Sequence, residues 1–119
     1  MRRRADVLVP VEVSILEAAL ELRTAGQAEA HGYLLAKRVQ DVRGADRLIA
    51  YGTLYKALAR VERVGFLVSR WEDPLLAAAD GRPRRRFYRL ALEGEGALID
   101  ARAAAREPAT RRAAAAILR

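Results

Sequence analysis

The hydrophobic period of this chain changes once, at Gly65, and that change restricts the fold more than any other feature. Before it, apolar residues recur at helical spacing. Val11, Ile15, Leu16, Ala19, Leu20 and Leu22 follow Pro10; then come Leu34, Leu35 and Val39; then Leu54, Ala57, Leu58, Val61 and Val64. After it, residues 66–71 and 85–90 are short and β-prone, with Tyr88 and Leu90 sharing one face at i, i+2. Residues 72–84 between them hold Pro74, Asp80-Gly81 and Pro83, which predicts a hairpin loop longer than usual. Pro10 suits a first helical position, and Gly26, Gly44 and Gly65 end or follow the three helices. The tail from Glu93 is alanine-rich and helical by propensity, with Pro108 limiting it to residues 93–107. Helix, helix, helix, strand, loop, strand, helix is the layout of a winged helix-turn-helix. The expected fold class is therefore mainly α (α+β). We divide it into a winged-helix unit, residues 1–92, and a C-terminal helical segment, residues 93–119. Residues 1–9 are expected to form a short basic arm.

Composition excludes several classes of function. The 119 residues suit one domain, and 52% hydrophobic content is enough for a modest core. There is no cysteine and one histidine, so no disulfide, thiolate nucleophile or His-paired triad is available, and no metal or other cofactor is expected. Carboxylates are spread singly; Glu72 and Asp73, adjacent in sequence, fall on opposite sides of a strand. Nothing assembles into a catalytic set, and the chain does not read as an enzyme. No apolar run approaches the roughly 18 residues that span a bilayer, and Asp6 and Pro10 interrupt any signal core. A soluble, cytoplasmic protein with no membrane partner is expected.

The net charge is +7, and it is localised. Residues 51–92 hold nine basic and four acidic side chains, net +5, whereas the flanking thirds carry +1 each. Twenty of the 22 cations are arginine, a bias that nucleotide composition alone can produce; the clustering is what points to an electrostatic footprint for nucleic acid.

The third helix tests that footprint. Opposite its apolar stripe lie Gly52, Lys56, Ala59 and Arg63, flanked by Tyr55 on one edge and Arg60 on the other. Small residues between cations let a backbone approach closely. The sequence predicts groove contacts from Tyr51, Thr53, Tyr55 and Lys56, with Arg60 and Arg63 on flanking phosphates. Arg84, Arg85 and Arg86 are expected to form the wing's contact. No asparagine occurs, and Gln27 and Gln40 lie off this helix, so bidentate adenine readout from it is excluded. The rival reading is a winged-helix module for protein contacts that does not read DNA; a solvated basic face would serve it equally.

These residues resemble the PadR family of bacterial transcriptional regulators. The resemblance runs through His31-Gly32-Tyr33, Gly52-Thr53-Leu54-Tyr55 with Ala57-Leu58, and Gly65-Phe66-Leu67-Val68. It continues in Trp71-Glu72, Gly81-Arg82-Pro83-Arg84, Tyr88-Arg89-Leu90 and Gly94. It implies a homodimer on a pseudo-palindromic operator in double-stranded DNA, usually a repressor, located with the bacterial nucleoid. It also implies a C-terminal helix that packs on the partner's first helix. Ile15 and Leu22 on the first helix, with Leu98, Ile99, Ile117 and Leu118 on the tail, are the expected dimer seam. Some relatives respond to small hydrophobic or aromatic effectors near that interface. The sequence departs from the family pattern at Val9 and Ala50, where helix-capping residues are common, and at Ala91. His31 reads as structural, Trp71 as packed under the wing, and Tyr33 and Phe87 as core.

Overall fold

The computed structural model describes residues 7–118, with the side chains as far as residue 106. The chain runs α1 (Pro10–Thr24), β1 (Ala30–His31), α2 (Gly32–Arg43), a 3-10 turn (Ala45–Arg47), α3 (Tyr51–Arg63), β2 (Leu67–Trp71), α4 (Pro74–Ala79), β3 (Arg86–Leu90) and α5 (Leu92–Leu118). The helix-rich α+β winged helix expected from the change of period is what forms.

The helices meet over a core in which Ile15, Leu16, Leu35, Val39, Leu54, Val61, Leu67 and Leu98 are each almost fully buried. The stripe of α3 that faces this core is the predicted one, with Leu54, Ala57, Leu58 and Val61 buried. Gly65 takes a left-handed φ of +87°, and the amide of Phe66 then donates to Val61 O at 2.9 Å. This turn ends α3 and launches the wing. The Phe66 carbonyl also accepts the Ala91 amide at 3.0 Å, and a methyl at Gly94 would collide with that same oxygen. A glycine is thus required where α5 starts beneath the wing.

Two buried polar side chains set the pose of α3. Val9 caps α1 without a side-chain acceptor; the Glu12 carboxylate accepts the Val9 amide instead, at 2.9 Å. Gln40, also buried, accepts the Ile49 amide at 3.0 Å and donates to the Ile49 carbonyl. That clamp fixes the short connection between α2 and α3, and with it the direction in which α3 starts.

The structure departs from the sequence expectation in three places. Residues 72–84 are not all loop: Asp73 Oδ1 accepts the Leu75 amide at 2.8 Å, Pro74 starts α4 and Ala77 is buried. The wing strands β2 and β3 pair antiparallel from Leu67↔Leu90 to Trp71↔Arg86, but β1 adds a third strand, giving the order β1-β3-β2. Third, α5 continues past Pro108. Proline removes one intrahelical amide, and the strong propensity of the surrounding alanines outweighs that loss.

Candidate nucleic-acid interface

The outward face of α3 is as expected: Gly52, Thr53, Lys56, Ala59 and Arg63 are exposed. Lys56 and Arg63 make no ion pair among the described residues. A Cβ on Gly52 would meet nothing within 4 Å, so the chain's own packing does not require a glycine there. Ala50 caps α3 with no side-chain acceptor, which leaves the first-turn amides to solvent or a ligand.

The two edges of α3 differ. On the α1 side Arg60 is turned inward, donating to Glu12 Oε1 at 3.0 Å, with side-chain exposures of 15% and 3%. The buried carboxylate holds the guanidinium that the sequence assigned to a flanking phosphate, because an unpaired charge at Glu12 would be costly there. On the wing side, Tyr51 and Tyr55 are exposed; Tyr51 stacks on Tyr33 and meets Tyr55 at a tilt. Ring centroids are 6.2 Å apart for Tyr33–Tyr51 and 6.4 Å for Tyr51–Tyr55, and His31 continues the series at 6.3 Å from Tyr33. Tyr33 is therefore surface, not core, since it lies in the first turn of α2 against the start of α3. Burial pushes the Tyr55 phenol above its ordinary range, helped by Tyr51 and Tyr33. It stays a hydroxyl donor at neutral pH.

His31 is structural, as expected: its Nδ1 caps α2 by accepting the Leu34 amide at 3.2 Å. Burial, then the positive charges of Arg85 and Arg82, hold it below the usual imidazole range, so it is neutral at pH 7.

The wing's arginines divide into braces and outward cations. Arg82 grips Glu72 through both nitrogens, at 2.6 and 2.8 Å, and this pairing above all lowers the Glu72 carboxyl to about 2. Glu72 Oε1 also accepts the Arg85 amide at 3.3 Å, and its carbonyl accepts Arg84 Nε at 3.1 Å. Arg86 reaches across to α3, donating to Glu62 at 2.8 Å and to Ser69 Oγ at 2.9 Å. Burial raises the Glu62 carboxyl, but the Ser69 hydroxyl and Arg86 together outweigh it and leave a net lowering. Trp71 is 53% exposed, so its expected place under the wing is also corrected. The strand register sets Arg86 opposite it, and the Arg86 and Arg84 guanidiniums lie 5.2 and 5.5 Å from its ring. Phe87 is half-buried under Arg70 at 5.1 Å. The guanidinium of Arg85 alone among the three predicted wing contacts is exposed without a hydrogen bond or ring contact among the described residues.

Sequence reasoning missed the braces Glu12, Gln40, Glu62, Ser69, Glu72 and Arg82. The partners that make them braces lie 7 to 48 residues away, so no local pattern marks that role, although Glu12 also accepts the Val9 amide three residues back. The expected dimer residues also separate. Ile15 and Leu98 are 2% and 1% exposed inside their own chain's core, facing α2 and α3 in the case of Ile15, and so are not surface residues. Leu22 is half-buried against that core and Ile99 is 63% exposed. The side chains of Ile117 and Leu118 lie outside the described residues. Among the described residues no group of His, Asp or Glu is placed to hold a metal ion, and no helix is long and apolar enough to cross a membrane.

A three-helix unit, a wing, and exposed cations on the third helix and the wing define a winged-helix protein of the DNA-binding, transcription-regulator class. The profile of the transcriptional regulator PadR-like family matches residues 22–100. The chain belongs to that family. It is similar in structure to a transcriptional regulator from Clostridium thermocellum, Cth-833, at 21% identity and TM-score 0.61, covering 95% of this chain and all of that one. It is similar to a PadR family transcriptional regulator from Eggerthella lenta at 25% identity and TM-score 0.55, covering 86% and 80%. A putative transcriptional regulator from Thermoplasma acidophilum, TA0346, shares the fold at 19% identity and TM-score 0.57, covering 90% and 84%. No curated protein matches the sequence.

Proposed function

We propose that this PadR-family regulator is a repressor that binds a pseudo-palindromic operator as a homodimer, in the cytoplasm and on the nucleoid. Residues 1–92 read the DNA and residues 93–119 contribute the dimer contact. The observation that carries the reading is the sorting of charge: Arg60, Arg82 and Arg86 are held by carboxylates, while Lys56, Arg63 and Arg85 are left for an external anion. Lys56, Thr53, Tyr51 and Tyr55 make the groove contacts, Arg63 a flanking phosphate contact, and Arg84 and Arg85 the wing contact, with Arg86 as its brace.

The dimer reading is supported by an apolar groove of about 950 Å³ between α1 and α5, walled by Val13, Phe66, Ala97, Ala101 and Ala104. Ile99 stands exposed on α5. A partner's helix fills such a groove, and a small hydrophobic or aromatic effector binds beside it.

Fluorescence anisotropy against the DNA upstream of the protein's own gene, with a scrambled duplex at several salt concentrations, tests this. Two chains should bind per operator, more tightly than to the scramble, and Lys56→Ala should weaken operator binding about tenfold without changing the melting temperature. Equal affinity for both duplexes would leave a non-specific binder. No binding at low salt would favour a protein-contact module.

A further inference from the structure

Between the wing-side edge of α3 and the base of the wing lies an open cleft of about 420 Å³, separate from the groove at α5. Its polar side chains are His31, Tyr33, Tyr55, Tyr88, Arg85 and Arg86, and among the described residues no carboxylate lines it. Glu62 and Glu72, whose charges bear on these residues, are already held by Arg86 with Ser69 and by Arg82. The Nδ1 of His31 is used as an acceptor, so in the neutral ring Nε2 carries the proton and is a donor. Burial pushes the Tyr55 and Tyr88 phenols above their ordinary range, so both stay protonated, and each tyrosine hydroxyl of the cleft can donate as well. At the back, a Cβ on Gly32 would sit 3.3–3.5 Å from Leu58, Tyr55 and Tyr88, so the cleft is floored by close packing. A wall of hydrogen-bond donors around one unengaged guanidinium is a site for an oxyanion.

Resting on the reading that α3 and the wing bind duplex DNA, we propose that this cleft seats one backbone phosphate of each half-site. The phosphate belongs to the strand that passes between the groove entered by α3 and the groove reached by the wing. Arg85 supplies the charge, and Tyr33, Tyr55 and His31 supply neutral donors. None of these but Arg85 and Tyr55 was marked by charge or helix position in the sequence. Tyr33 and His31 come from the start of α2 and are brought here by the aromatic series and by the pairing His31↔Phe87.

The test uses a set of upstream duplexes, each with one phosphate replaced by a neutral methylphosphonate, titrated against the full-length wild type and the Tyr55→Phe/Arg85→Ala variant. Both positions are exposed, so unchanged thermal unfolding of the variant certifies its fold. In the wild type one linkage per half-site should cost about tenfold in affinity when neutralised, the scale of one charge-assisted hydrogen bond. In the variant that linkage should cost less than about twofold, while the other linkages keep their penalties. An equal penalty in both proteins overturns the seat and leaves the DNA-binding reading intact. Failure of any unmodified duplex to bind overturns both. A parallel titration of the DNA-free protein with inorganic phosphate, followed by the NMR shifts of His31, separates the sources. Saturation by free phosphate, lost in Arg85→Ala, in a protein that binds no duplex would give the cleft to a soluble phosphate ligand instead.

Discussion

The two edges of α3 each lie beside an arginine, Arg60 toward α1 and Arg85 of the wing on the other side, and the two do opposite work. Toward α1, Arg60 lies 3.0 Å from a carboxylate that is 2% exposed, and the pair locks the helix to the body of the domain. Toward the wing, Arg85 and the exposed tyrosines border an open cleft, and the Arg85 guanidinium makes no ion pair or hydrogen bond among the described residues. The difference shows that a cluster of arginines in sequence is not yet a binding surface. What counts is how many the chain's own carboxylates consume.

The largest effect belongs to the closed edge. Glu12→Gln keeps a side-chain oxygen for the Val9 amide but removes the negative charge that Arg60 pairs with, and breaking a buried pair on one side costs about 3 kcal/mol. Urea denaturation should show that loss, with operator affinity unchanged under conditions where the variant is fully folded. A weakened operator complex from folded Glu12→Gln would mean that Arg60 and Glu12 belong to the DNA contact after all.

The same contrast has a counterpart in the salt dependence of binding, smaller in free energy. Arg85→Ala should lower the slope of log affinity against log salt by about one unit, as for the loss of one phosphate contact, while Arg60→Ala should leave the slope unchanged. Equal slopes in the two variants would erase the distinction between the edges.

The legible parts of the molecule are those fixed by local chemistry. Pro10, Gly65 and the apolar stripe of α3 are signals within a few residues of their effects, and α1, α3 and both wing strands fall where the sequence puts them, to within one residue. The strand β1 was illegible because Ala30 and His31 have no strand pattern of their own; they extend only because β3, almost sixty residues on, pairs with them. The α4 signal lies in Asp73-Pro74, but Asp80-Gly81 and Pro83 close after it carry an equally strong turn signal, and six residues are too few to show a helical period. At the site, exposure on the outer face of α3 follows from the wheel. The inward turn of Arg60 does not, because it depends on Glu12 reaching the same space from another helix. Tyr33 and Trp71 look like core by residue type, yet they stack on other rings and on guanidiniums at the surface, a choice set by tertiary register.

The wing base gives the finest test of the comparison, because its carboxylate serves neither edge directly and holds the outward arginines in position. The Glu72 carboxyl is lowered from its ordinary range to about 2. A depressed carboxylate contributes stability that is fully present above its unfolded pKa and disappears as pH falls through the folded value. The wing should therefore be insensitive to pH from about 7 down to about 5 and loosen progressively between about 4 and 2. The only tryptophan, Trp71, lies under Arg84 and Arg86 at this base, so its fluorescence reports the change. In Glu72→Gln the emission at neutral pH should already resemble that of the acid form, and the low-pH transition should vanish. If instead the variant keeps the wild-type emission and transition, Arg82 and Glu72 do not order the wing. The outward pose of Arg85 would then have to come from β2–β3 pairing and the Arg86–Glu62 brace alone.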